Sequence, residues 1–294
     1  MPHVIALLGA GVMGNAIGSR LLEVGHAVAV FDPDLAKVAA LAEMGATAAG
    51  SGRAAAAAAD FVILSLNSAK IVEAAVFGDD GVAAGARPGT LIIDMSSIDP
   101  KSTRTLARRA AEKGLRWVDG PLSGGAPKAR IGRLTVMAGG EAGDVADARA
   151  VMADLCANYT HMGPAGAGQT TKLINQVLCA LNFMAVAEAT RLALDAGVDA
   201  AAIPKALAGG RADSAILQEF MGKMAAHDYS PTGRLDNMVK DLTAAQDLAR
   251  ATGTAMPMTA LVAEIHRLLV GAGLGAADNA ALMEFFMRAD KEPE

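Results

Sequence analysis

Four stretches of this 294-residue chain hold residue types whose spacing could do chemistry. The first is Gly9-Ala10-Gly11-Val12-Met13-Gly14, directly behind the apolar run Val4–Leu8 and ahead of a helix-favouring segment. In a strand–turn–helix setting, Gly9 makes the tight turn and Gly11 lets the backbone approach a pyrophosphate. Gly14 lets the helix lie close on the strand. The helix start then offers unpaired N–H groups and the positive end of its dipole to phosphates. Asp32 ends the next apolar run, Ala27–Phe31. A carboxylate there accepts from a ribose 2′-hydroxyl and repels a 2′-phosphate. Pro33 and Asp34 follow it rather than an arginine. The pattern predicts a dinucleotide site for NAD, with NADP as the weaker fit.

The second stretch is Asp119-Gly120-Pro121-Leu122-Ser123-Gly124-Gly125. It follows a predicted strand, at the sheet edge where open α/β sheets bind ligands. Ser123 offers a hydroxyl, and Gly124 and Gly125 offer approachable N–H groups, which suits a small carboxylate. The third is Gly163 to Gln176, where glycines precede a helix carrying Lys172, Asn175 and Gln176 on one face. A lysine partly withdrawn from water in a cleft can serve as acid or base, although a helix lysine is more often plainly solvated. The fourth is Lys240-Asp241-Leu242, where Asp241 reads as a cap or dipole partner near a helix start. Its ordinary alternative is a solvated charged face.

These groups need a scaffold, and the hydrophobic pattern supplies one. Val4–Leu8, Ala27–Phe31, Phe61–Leu66, Leu91–Asp94, Arg116–Asp119 and Leu134–Ala138 read as strands. Helical stretches such as Leu35–Met44 and Ser102–Lys113 separate them, which predicts βαβ units and a parallel sheet. From Gly163 onward the pattern is helical, with runs at 172–196, 204–207, 217–226, 238–252 and 257–271. The expectation is an α/β fold: a Rossmann-type dinucleotide-binding domain over 1–162, then an all-α domain over 163–294, joined by a long helix. Ala54–Ala59 reads as a surface helix.

Composition excludes several classes. Apolar residues make up 52% and charged residues 19%, which is not the profile of a disordered chain. The net charge of −5 argues against a nucleic-acid partner. Cys156 and Cys179 form no metal-ligand spacing, so no metal is expected and the setting reads as reducing and cytoplasmic. The apolar stretch 177–187 is broken by Asn182 and is short for a bilayer, so no membrane partner is expected either.

Taken together, the motifs resemble the β-hydroxyacid dehydrogenase family over nearly the whole chain. The family's glycine turn is matched by Gly9–Gly14. Its substrate loop is matched by Asp119–Gly125, with Leu122 for Val. Its glycine–lysine helix is matched by Gly166–Lys172, and its K-D-L motif by Lys240–Leu242. Ile93–Ile98, Ser123–Ala129, Lys172–Gln176, Gly209–Ser214 and Gly273–Asp278 are similar to the tartronate semialdehyde reductase branch. The resemblance implies hydride transfer between NAD(H) and a small β-hydroxyacid or its semialdehyde, tartronate semialdehyde to glycerate foremost. Oxidation of 3-hydroxyisobutyrate or threonate, and reduction of glyoxylate or succinic semialdehyde, are the alternatives. A non-catalytic NAD-binding sensor is the reading from another class. The resemblance further implies Lys172 as acid–base, and Ser123, Gly124, Gly125, Asn175 and Gln176 as the substrate site. Gly9, Ala10, Gly11, Val12, Met13, Gly14, Asp32, Leu66, Asn67, Ser97 and Lys240 would hold the cofactor. A homodimer or homotetramer is expected. The chain departs from the family at Asn67, where the family has Pro, and at Gln176, where it often has Asn. Arg211 adds a cation to a loop near the expected substrate site.

Overall fold

The computed structural model describes residues 2–286. The chain forms two compact units, Met1–Lys172 and Leu173–Glu294, and the division falls inside one long helix, α8 (Ala167–Asp195). It therefore lies beyond the 162/163 boundary read from the sequence. The last residues of the expected second domain, 287–294, lie outside the described residues.

The first unit is a sheet with helices on both faces. Its parallel part runs β3 (Thr47–Ala48), β2 (Ala27–Phe31), β1 (Val4–Leu8), β4 (Phe61–Leu64), β5 (Leu91–Asp94), β6 (Arg116–Asp119). The unbroken aliphatic runs are what a sheet covered on both faces requires. Ile5 and Leu7 enter one core, Ala6 and Leu8 the other, as strand alternation dictates. Beyond β6 the direction changes. β8 (Leu134–Gly140) lies antiparallel to β6 and to β7 (Leu122–Ser123), and parallel to β9 (Cys156–Gly163). β3, β7 and β9 are absent from the sequence reading. The first two have two residues each, and β9 alternates few apolar residues because it is an exposed edge. The strand read as Phe61–Leu66 ends at Leu64, which places Leu66 in the following loop.

The helices between strands are α1 (Val12–Glu23), α2 (Leu35–Ala42), α3 (Gly52–Ala56), α4 (Ala69–Phe77), α5 (Pro100–Glu112), α6 (Gly125–Arg130) and α7 (Ala142–Leu155). Asp34, Ser51, Ser68 and Asp99 accept backbone N–H bonds at the starts of α2 to α5, each relieving an orphan donor. The alanine tract is not the surface helix expected. The helix stops at Ala56, and Ala55, Ala56 and Ala59 are buried, since a methyl group fits where elements approach closely.

The second unit is helical: the remainder of α8, then α9 (Ile203–Leu207), α10 (Ala215–Ala225), α11 (Leu235–Thr252) and α12 (Pro257–Leu269), followed by short turns to Phe286. The short apolar stretch 177–187 lies within α8, which as a whole is long and apolar enough to cross a bilayer by length and composition alone. Its Ala180, Phe183, Met184 and Ala187 instead build this unit's core with Met221, Met224, Leu242 and Ile265.

Candidate active site

The glycine turn joins β1 to α1. Gly9 N–H donates to Phe31 O at 2.9 Å, tying the turn to β2. A Cβ at Gly14 would collide with the carbonyl of Gly9, so only glycine lets α1 start this close to the strand. The outer side of Gly11 is open: a Cβ there would meet nothing within 4 Å. α1 begins on Gly11 with no side-chain cap and no acid in its first turn, so among the described residues no capping side chain takes up its first N–H groups. Val12 is 82% exposed, while Met13 packs on the core.

Asp32 is buried at the end of β2. Ala10 N–H donates to its Oδ2 at 2.8 Å and Asp34 N–H to its Oδ1 at 2.9 Å. A carboxylate has about four lone-pair sites, so acceptor capacity is left for a ribose hydroxyl. Open backbone at Gly11, an uncapped helix start and a held carboxylate together fit a dinucleotide. Leu66 N–H donates to Ser96 Oγ at 3.0 Å, bringing the loops after β4 and β5 together. Asn67 is exposed and Ser97 half-buried beside them.

At the ends of β5 and β6, two buried carboxylates stand in register, Asp94 beside Asp119. Burial pushes the Asp94 pKa up to about 7, against the bonds from Ser96. Its Oδ1 accepts from Ser96 N–H at 3.0 Å, and its Oδ2 has no partner among the described residues. Burial also pushes Asp119 up to about 6, although backbone N–H groups favour its charge. Gly166 N–H donates to Asp119 Oδ1 at 2.7 Å and Gln169 N–H to Oδ2 at 2.9 Å. Gln169 also donates from Nε2 to Ser96 O at 2.7 Å and accepts from Ile98 N–H at 3.3 Å. The first turn of α8 is thus bound to the ends of β5 and β6. Lys172, half-buried, follows one turn later. Four residues beyond Asp119, Ser123 closes β7, and the exposed Gly124 and Gly125 open α6.

The other expected residues belong to the helical unit. Asn175 Nδ2 donates to Gln176 Oε1 at 3.0 Å, and Gln176 Nε2 to Asp241 Oδ2 at 2.6 Å. Lys240 Nζ pairs with Asp241 Oδ1 at 3.5 Å. Asp241 is therefore neither a cap nor a solvated charge. α11 begins at Leu235, so Asp241 lies in its second turn, buried, linking α11 to α8. This chain of amides leaves Asn175 Oδ1 as the acceptor end. Arg211 is exposed on the loop after α9. Sequence reasoning assigned nothing to Asp94, Gln169 or the carboxylate of Asp119, because their partners are distant along the chain. Among the described residues, no three His, Cys, Asp or Glu side chains assemble a metal site.

The chain is similar to known proteins over both units. Residues 4–163 match the NAD-binding domain of 6-phosphogluconate dehydrogenase. Residues 166–286 match the NAD-binding family of NADP-dependent 3-hydroxyisobutyrate dehydrogenase. The chain is 36% identical to an NAD-dependent L-serine dehydrogenase of Pseudomonas aeruginosa, over 96% of this chain and 97% of that one. It is 33% identical to the 2-hydroxy-3-oxopropionate reductase of Escherichia coli, over 95% of this chain and 96% of that one. The solved structure of Mycobacterium tuberculosis 3-hydroxyisobutyrate dehydrogenase with L-serine superimposes with a TM-score of 0.89 at 31% identity, covering 98% of this chain and all of that one.

Proposed function

The chain belongs to the β-hydroxyacid dehydrogenase family, NAD(P)-dependent oxidoreductases acting on hydroxyl groups, and on that premise we propose that it interconverts a 3-hydroxypropanoate bearing a small 2-substituent with the matching semialdehyde. Tartronate semialdehyde and glycerate are the pair we place first, and L-serine second. The names of the relatives support this class, since L-serine, 3-hydroxyisobutyrate and 2-hydroxy-3-oxopropionate share a carboxylate next to the carbon that bears the CH₂OH or CHO group. The observation that carries the reading is one sheet edge. The glycine turn, Asp32, the Ser123 loop and the clamped start of α8 all stand at the carboxyl ends of β1, β2, β5 and β6.

The nicotinamide cofactor supplies the hydride when bound. Gly9 to Gly14 hold its pyrophosphate at the start of α1, and Asp32 its ribose, which favours NAD. Leu66, Asn67, Ser97 and Lys240 complete that half of the site. Ser123, Gly124 and Gly125 hold the substrate carboxylate. Lys172 gives a proton to the carbonyl oxygen during reduction and takes the hydroxyl proton during oxidation. Asn175, oriented by Gln176 and Asp241, accepts a hydrogen bond from the hydroxyl or from Lys172, and Arg211 attracts the anion. The same reading carries a homodimer or homotetramer in a cytoplasmic setting. Exposed Leu178, Leu192, Leu261 and Leu268 and the two free cysteines support it.

The test follows NADH and NADPH oxidation with tartronate semialdehyde, methylmalonate semialdehyde, glyoxylate and succinic semialdehyde. NAD reduction with glycerate, L-serine, 3-hydroxyisobutyrate and threonate is followed in parallel. Tartronate semialdehyde is expected to lead in kcat/KM by about tenfold, about 1.4 kcal/mol of transition-state discrimination. A lead by any other acid replaces the substrate. Lys172→Ala is expected to lower kcat by about 10²- to 10⁴-fold with NADH binding retained. Retained activity removes Lys172 from the chemistry. Binding of NADH with no turnover of any acid leaves a sensor.

A further inference from the structure

α8 begins without a capping residue of its own. Pro164, Ala165 and Gly166 precede it, and none carries a side-chain acceptor. The first N–H groups of a helix need partners. Here Asp119 supplies them from 47 residues away, with Gly166 N–H on one carboxylate oxygen and Gln169 N–H on the other. The fit is close on every side. A Cβ on Gly139 would lie 2.6 Å from Asp119 Oδ1, and one on Gly168 would lie 2.7 Å from Asp119 O. Gln169, 1% exposed, adds its own two bonds to the loop after β5. The start of α8 is thus locked to two strand ends, and Lys172 stands three residues beyond the lock.

We propose that Asp119 is a positioning residue for the reaction: by capping α8 across the fold, its carboxylate sets where the Lys172 amine stands relative to the Ser123 loop. The proposal rests on the reading of Lys172 as the acid–base group. Asp119→Asn keeps the shape but turns one acceptor into a donor facing an N–H, so one of the two bonds must break. A misplacement of about 1 Å can cost on the order of 10²-fold in rate, which sets the expected scale.

The experiment is a double-mutant cycle on the full chain, with kcat and KM for the preferred acid, NADH affinity by fluorescence titration, and thermal unfolding. Asp119→Asn is expected to lower kcat by about 10- to 100-fold, with NADH affinity unchanged. In the Lys172→Ala background the same substitution is expected to change the residual rate by no more than about twofold, the usual error of additivity. Equal losses in both backgrounds, or no loss in the wild-type background, overturn the proposal. Asp119→Ser, which leaves one hydroxyl where the two carboxylate oxygens stood, runs through the same cycle with the same criteria should Asp119→Asn fold poorly. A fully active Lys172→Ala enzyme is a different failure, that of the acid–base assignment itself.

Discussion

α1 and α8 begin in opposite ways at the same sheet edge. α1 starts on a bare glycine with no capping side chain, and the space outside Gly11 is open. α8 starts against a buried carboxylate that takes up two of its N–H groups. Each start has unpaired donors and a partial positive charge of the same kind. One is left without a side-chain acceptor, which suits the proposed anion, and the other is filled by the chain itself. A helix start is therefore a ligand site only where the fold withholds an internal acceptor.

Substitutions can break that contrast. The largest effect is expected from Gly14→Ala, because the added methyl meets the backbone of Gly9 and no side chain can yield. Overpacking of this kind costs on the order of 1–3 kcal/mol. NADH titration should lose saturable binding, with unfolding several degrees lower. Undiminished binding would mean α1 tolerates displacement. Asp32→Ser removes the acceptor of Ala10 N–H as well as the proposed ribose partner. Bonds to charged groups are worth about 1.5–3 kcal/mol, so NADH should bind roughly 10- to 100-fold more weakly, with relative use of NADPH rising. An unchanged cofactor ratio would take Asp32 out of specificity.

The helix-start contrast was only half legible in the sequence. The glycine turn and Asp32 could be read because turn, strand and acid are near neighbours along the chain. The parallel strands could be read because burial on both faces demands unbroken aliphatic runs. The cap on α8 could not, because no local residue supplies it and the acid belongs to a strand ending 47 residues earlier. Asp241 was misplaced for a related reason: Gln176, its partner, lies on another helix. β9 escaped because an exposed edge strand lacks apolar alternation, and Ala55 and Ala59 because a methyl suits surface and core alike.

Two smaller effects sharpen the comparison. Asp94 is held protonated up to about pH 7 in the fold, against an ordinary carboxylate value of 3.8. Between those values the native state binds a proton that the unfolded chain does not, so stability falls as pH rises. The unfolding temperature should drop by several degrees from pH 5 to pH 8, at about 2–4 °C per kcal/mol, and Asp94→Asn should flatten that slope. An unaltered slope would exonerate Asp94. The smallest effect is expected from Val12→Glu, which places an acid in the exposed first turn of α1. A charge there is worth about 0.3–1 kcal/mol to the helix start, so NADH affinity should fall roughly two- to fivefold while the melting temperature holds or rises slightly. Salt should narrow the difference; a salt-independent loss would point to sterics instead.

The remote cap of α8 also bears on how the chain assembles. A helix capped by its own neighbouring residue has its cap as soon as it is made, whereas this one gains its cap only when β6 is beside it. Synthesis runs in the helpful order. At roughly 5–20 residues per second, the Asp119 carboxylate leaves the ribosome a few seconds ahead of the helix it will hold.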